Sequence, residues 1–133
     1  MDARGTVRPF GGCTLEVVGP DSGGRDDGTV VVVVGGDIDA PEAAELESTL
    51  LGQIDAASLV VVDLGGAAHF GSRGLTALLR TQDAAARRGT RLHVSTGGRR
   101  HIRRPLEITG IDAIVPVFAT VTDALAGSPL VRS

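Results

Sequence analysis

The strongest constraint on this chain is a change of period. Two runs of β-branched and aliphatic residues, Thr29 to Val34 and Leu59 to Leu64, flank a stretch whose apolar residues recur with helical spacing. Continuous apolar runs of this length describe strands buried on both faces. Between them Ala43, Leu46, Leu50 and Ile54 fall at i, i+3, i+7 and i+11, one stripe along a helix. That helix carries its own start signal. Asp39 is followed by Pro41 and then by Glu42, the spacing of a capping box with Asp in place of Ser or Thr. A strand, a helix and a second strand in this order imply a right-handed crossover between parallel strands.

The alternation continues in both directions. Thr14 to Val18 reads as a short strand, and the turn-rich Gly19 to Gly28 connects it to the first Val-rich run as a long-looped antiparallel hairpin. Gly65 to Gly71 reads as a loop, with Gly35-Gly36 and Gly65-Gly66 as turn material. Ser72 then opens a long helix with Leu75, Leu78, Leu79 and Gln82 to Ala86 on its stripe, closed by Arg87, Arg88 and Gly89. Arg91 to Ser95 is a strand. Arg99 to Thr109 is a short helix stopped by Gly110, in which Pro105 predicts either a start near Arg104 or a kink. Ile114 to Val117 is a further strand. Thr120 to Ala126 is a last helix with Val121, Ala124 and Leu125 inward. The expected fold is α/β: a mixed, mostly parallel sheet of about five strands with about four helices and an N-terminal β-hairpin. Residues 1–12 are expected as a flexible arm, 13–127 as the domain and 128–133 as a tail.

Composition narrows the function classes. The one cysteine, Cys13, excludes an internal disulfide framework and a Cys-rich zinc site, and it reads as a structural thiol. With no Trp, no Tyr and three Phe, the chain lacks the aromatic platforms of base-stacking modules, so no direct nucleic-acid partner is expected. The apolar runs are far too short to span a bilayer, so no membrane partner is expected, and the first residues carry no signal-peptide pattern. The expected location is cytoplasmic. Charge is divided unevenly: residues 1–63 hold twelve acids and three Arg, residues 64–133 four acids and ten Arg. Such a split fits either a polarised binding surface or two solvated faces.

No catalytic set emerges. His69, His93 and His101 lack metal-ligand spacing, so no metal is expected, and His93 reads as a surface or satisfied core residue. Gly71-Ser72-Arg73-Gly74 lacks the Lys and glycine spacing of a P-loop and is out of register with a G-x-S-x-G elbow. The chain is expected not to be an enzyme and to use no cofactor.

Four segments together resemble one family. Val31 to Ala40, with Gly35-Gly36-Asp37-Ile38-Asp39-Ala40, resembles the strand and G-x-L-D-A loop of STAS domains. Val60-Val61-Val62-Asp63-Leu64 followed by His69-Phe70-Gly71-Ser72-Arg73-Gly74-Leu75 is similar to their hydrophobic strand, D-L and F-D-S-S-G-L core. Arg88 to Val94 and Leu106-Glu107-Ile108-Thr109-Gly110-Ile111 resemble a later strand and the L-x-x-T-G turn. The likeness runs from about residue 14 to 126, and a stand-alone chain of this size looks like an anti-sigma factor antagonist. The resemblance implies that the protein binds an anti-sigma factor that is also a GHKL-type serine kinase, and so frees a sigma factor for transcription. It also implies that phosphorylation breaks the complex and that a PP2C-type phosphatase restores it. By position Ser72 matches the phosphorylated serine and Asp39 the loop aspartate. Asp37, Asp39, Gly71, Ser72, Arg73, Gly74 and Thr76 are the expected partner-binding residues.

The physics of Ser72 is compatible with that role. As the expected N-cap of its helix it would hold a surface hydroxyl beside unpaired amides and a partial positive pole, where a phosphate is tolerated. Its other reading is a cap and nothing more. Two departures bear on the switch. Gly71 stands where the family usually has Asp, and Arg73 where it usually has a small hydroxyl residue. Arg73 could pair with a phosphate or crowd a kinase, so a switchable and a constitutive antagonist both remain open. Beside them stand a non-switching STAS scaffold subunit of a stress-signalling or lipid-transport complex, and a small nucleotide-binding domain. Arg99, Arg100, Arg103 and Arg104 form a basic patch, with a solvated face as its alternative reading.

Overall fold

The two Val-rich runs lie side by side as parallel strands at the centre of a sheet. The fold is seen in a computed structural model that describes residues 7–19 and 28–126. The strands are β1 (Val7–Phe10), β2 (Cys13–Val18), β3 (Thr29–Ile38), β4 (Leu59–Phe70), β5 (Arg91–Ser95) and β6 (Val117–Phe118). Their spatial order follows the chain, β1-β2-β3-β4-β5-β6. The first two pairings are antiparallel and the last three parallel. The helices are α1 (Ala40–Ile54), α2 (Ser72–Arg88), α3 (Arg100–Ile108) and α4 (Val121–Ala126). The mixed α/β sheet and the hairpin of β2 with β3 match the sequence reading.

Helices cover the two faces unequally. Val30, Val32 and Val34 of β3 and Val60, Val62 and Leu64 of β4 share one core with α1, α2 and α3. All four predicted α1 stripe residues are buried there. The opposite face holds a smaller cluster of Leu59, Val61, Phe118 and Ala124, with Val31 packed against it. The first part of β4, Leu59 to Val62, is therefore buried on both faces. β3 is buried on one, and Thr29, Val31 and Val33 are half-exposed on the other, where the six-residue α4 packs mainly against β4, β5 and β6. His93 lies on the α4 side, buried, with Nδ1 2.9 Å from the Ala124 carbonyl and its ring against Phe118. It is a satisfied core histidine.

Other expectations change for identifiable reasons. Part of the expected arm is a strand: Val7–Phe10 pairs with β2 through a two-residue Gly11-Gly12 turn. Residues 1–6, most of the Gly19 to Gly28 loop and the 128–133 tail lie outside the described residues. Both glycine pairs sit inside strands rather than turns, so β4 continues to Phe70 through the segment read as a loop. At Gly36, φ is +87° and a Cβ would lie 2.4 Å from the Gly12 carbonyl oxygen, so only glycine lets β2 approach so closely. The last strand is shifted to Val117–Phe118. The Ile114 and Val115 amides both donate to Ile111 O and are lost to the ladder. α3 runs unbroken from Arg100 with Pro105 inside it, since buried Ile102 and Leu106 seat both of its halves on the core. Leu79 and Leu125, expected inward, are partly exposed.

Candidate functional site

Parallel register decides where the two longest helices begin. Asp37 pairs with His69, and Ile38 with Phe70, so β3 and β4 end level with each other. The N-termini of α1 and α2 therefore stand side by side on one rim of the sheet. Of the predicted site residues, Asp37, Asp39, Ser72, Arg73 and Thr76 are exposed on that rim, and Gly71 is half-exposed. Gly74 is not on it. Gly74 is buried under the Phe70 ring, where a Cβ would come within 2.7 Å of Cζ, so it lets α2 settle on the strand and offers no surface.

The two helix starts differ. α1 has Asp39 as N-cap and forms the predicted capping box with Glu42. One carboxylate oxygen of Glu42 accepts the Asp39 amide at 3.1 Å, and the other accepts the Gly12 amide from the β1–β2 turn at 2.8 Å. The Gly12 amide, then Glu42's own amide and that of Asp39, hold the carboxyl below its ordinary range against an opposing push from burial. Next to it the Cys13 thiol is buried, and burial with the Glu42 and Glu45 charges raises its pKa, as suits an inert structural thiol.

α2 has Gly71 as N-cap, with no side-chain hydrogen bond to its free amides. Ser72 is thus the first helical residue and not the cap that the sequence suggested. A Cβ on Gly71 would lie 3.1 Å from His69 Nε2, a tight contact that the imidazole would have to yield to by a few tenths of an ångström. That imidazole is 61% exposed, and the same nitrogen lies 4.0 Å from Asp39 Oδ1. Thr76 donates its hydroxyl to the Ser72 carbonyl at 3.0 Å, so Thr76 steadies the first turn. Arg73 makes no ion pair among the described residues. The rim presents a hydroxyl, two carboxylates, an imidazole and a guanidinium to solvent.

Sequence spacing gives His69 no role, because it matches no metal-ligand pattern. The signal available was its register with Asp37 once the two strands were paired. Among the described residues no group of three or more His, Cys, Asp or Glu is placed to hold a metal. No described helix is long and apolar enough to cross a membrane. A cavity of about 540 Å³ lies at the far end of the sheet, where α1 and α2 finish, lined by Ile54, Asp55, Arg87, Arg88 and Thr90. Arg88 there pairs with Asp55 at 2.6 Å, and Arg87 with Asp83 at 2.6 Å.

A protein-family model of the STAS domain matches residues 24–124. The anti-sigma-F factor antagonist RsfB of Mycobacterium tuberculosis is 33% identical over 104 residues, which span 76% of this chain and 82% of RsfB. Among solved structures, an anti-sigma factor antagonist from Mycobacterium paratuberculosis superposes with a TM-score of 0.74 at 29% identity, covering 89% of this chain and 95% of that one. The anti-sigma factor antagonist SpoIIAA in its unphosphorylated form superposes with a TM-score of 0.65 over 96% and 99% of the two chains. At 13% identity that likeness is one of fold alone.

Proposed function

The chain belongs to the STAS domain family, and from that premise we propose that it is an anti-sigma factor antagonist. It binds an anti-sigma factor through the rim of Asp37, Asp39, Ser72, Arg73 and Thr76, and so releases a sigma factor. It acts by binding, as a cytoplasmic regulator without catalysis of its own. The partner is a GHKL-type serine kinase, which transfers the γ-phosphoryl group of ATP to Ser72. The Ser72 Oγ–P bond forms, the bond to ADP breaks, and the hydroxyl proton passes to a base of the kinase. A PP2C-type phosphatase hydrolyses the ester and resets the protein.

One observation carries this reading: Ser72 is exposed on the first turn of α2, on the same rim as the two aspartates. A phosphate there adds about 1.5 to 2 negative charges. The fold tolerates it, because it stands in solvent at the positive end of a helix. The complex does not, because taking a charge of that size out of water costs several kcal/mol, and each 1.4 kcal/mol is about tenfold in affinity. The switch therefore needs no large change of shape. Gly71 and Arg73 favour a second reading, a STAS subunit that binds constitutively, since no carboxylate precedes Ser72.

Incubation with a cognate anti-sigma kinase and ATP is expected to add one phosphate, mapped to Ser72 by mass spectrometry. By titration calorimetry, Ser72→Glu should bind that kinase at least about tenfold more weakly than the wild type, and Ser72→Ala about equally. An unshifted mass, with the kinase active on another antagonist, supports the constitutive reading. Equal affinities for the two variants would place Ser72 outside the interface.

A further inference from the structure

His69 has no part in the switch as stated, yet its place is specific. Its Nε2 lies 4.0 Å from Asp39 Oδ1 and directly against Gly71, one residue before Ser72. Arg73, one residue after Ser72, is exposed and without an ion pair among the described residues. The imidazole lies beside the residue before Ser72, and the guanidinium belongs to the residue after it, at a helix start that lacks any acid in its first turn. A guanidinium at the positive end of a helix is unfavourable in the unmodified protein. An anion on Ser72 reverses that balance.

We infer that His69 is the residue that holds a phosphate on Ser72. On modification its imidazole leaves Asp39 and donates Nε2–H to a phosphate oxygen, while Arg73 makes the second contact. The inference rests on the reading of Ser72 as the modified residue. Asp39 from α1 is the charged group nearest His69, Asp37 is its register partner across the strand pair, and Arg73 is exposed on the first turn of α2. A phosphate dianion adjacent to the ring outcompetes the single, exposed carboxylate of Asp39 for that proton donor. Modification then has a second effect on the rim. It introduces a phosphate and at the same time draws the imidazole away from Asp39, which then faces a partner without its neighbour.

The test uses the full chain with phosphoserine encoded at position 72, prepared without any kinase, and follows the ³¹P signal through a pH titration. In the wild type the phosphate midpoint is expected to fall below its usual value of about 6. His69→Gln should return it upward by about half a unit, the direction that loss of a nearby cationic donor dictates. Arg73→Gln should give a separate upward step. His69 is exposed, so the far-UV circular dichroism of the variant should match the wild type. Coincident midpoints for the wild type and His69→Gln would overturn the role of His69. A kinase that leaves Ser72 unmodified would count against the switch alone, because the encoded phosphoserine does not depend on it.

Discussion

α1 and α2 begin side by side on the same rim, and they begin in opposite ways. At α1 the free amides are sealed. Asp39 caps the helix, and the buried Glu42 ties the cap to the β1–β2 turn through Gly12. At α2 the cap is a glycine with His69 close beside it, and the next residue is an exposed serine. One start is closed by local polar chemistry. The other is held from beneath, by Phe70 packed under Gly74, and its polar surface is left to solvent. A helix start secured by packing can carry a charged modification without losing its support, which a start secured by a cap cannot.

The sharpest way to break this comparison is Phe70→Ala. If packing seats α2, losing a buried ring should cost about 3–5 kcal/mol in urea unfolding. A loss under 1 kcal/mol would mean that something other than Phe70 secures the helix. The next is Glu42→Gln. Glu42 has its pKa lowered in the folded state, so its contribution is fully present above the ordinary carboxylate range and disappears as pH falls through the lowered value. The stability gap between wild type and variant should be widest above the ordinary carboxylate range and should narrow as pH falls through the lowered value. A gap that does not change with pH would show that the Glu42 charge contributes nothing to the α1 start. The smallest effect belongs to Ser72→Ala. A residue in the first turn that caps nothing should change stability by no more than about 0.5 kcal/mol. A loss of about 1 kcal/mol would give Ser72 back the role of a cap.

The α1 start was legible because every part of it is local. Asp39, Pro41 and Glu42 sit within four residues, and the stripe from Ala43 to Ile54 repeats at helical spacing. The α2 start misled for the same reason. Serine is a preferred cap, so a serine before Leu75 was read as one, whereas the cap is the glycine before it. The strand β1 left a signal that went unused, a Gly-Gly pair between Phe10 and Cys13. The two internal glycine pairs gave a signal that pointed wrongly. They look like turns, yet they are places where neighbouring backbones come close.

The sequence by itself determined the α/β class, the order of most elements, the α1 cap and the presence of Asp37, Asp39 and Ser72 near helix starts. Those features arise from periodicity and from hydrogen bonds that span three or four residues. Only the tertiary structure decided which of them meet. The register of β3 against β4 brings Asp37 level with His69 and Asp39 within 4.0 Å of it, so that the starts of α1 and α2 share one rim. Contacts between residues some thirty positions apart depend on strand pairing and close packing, and no local pattern encodes them.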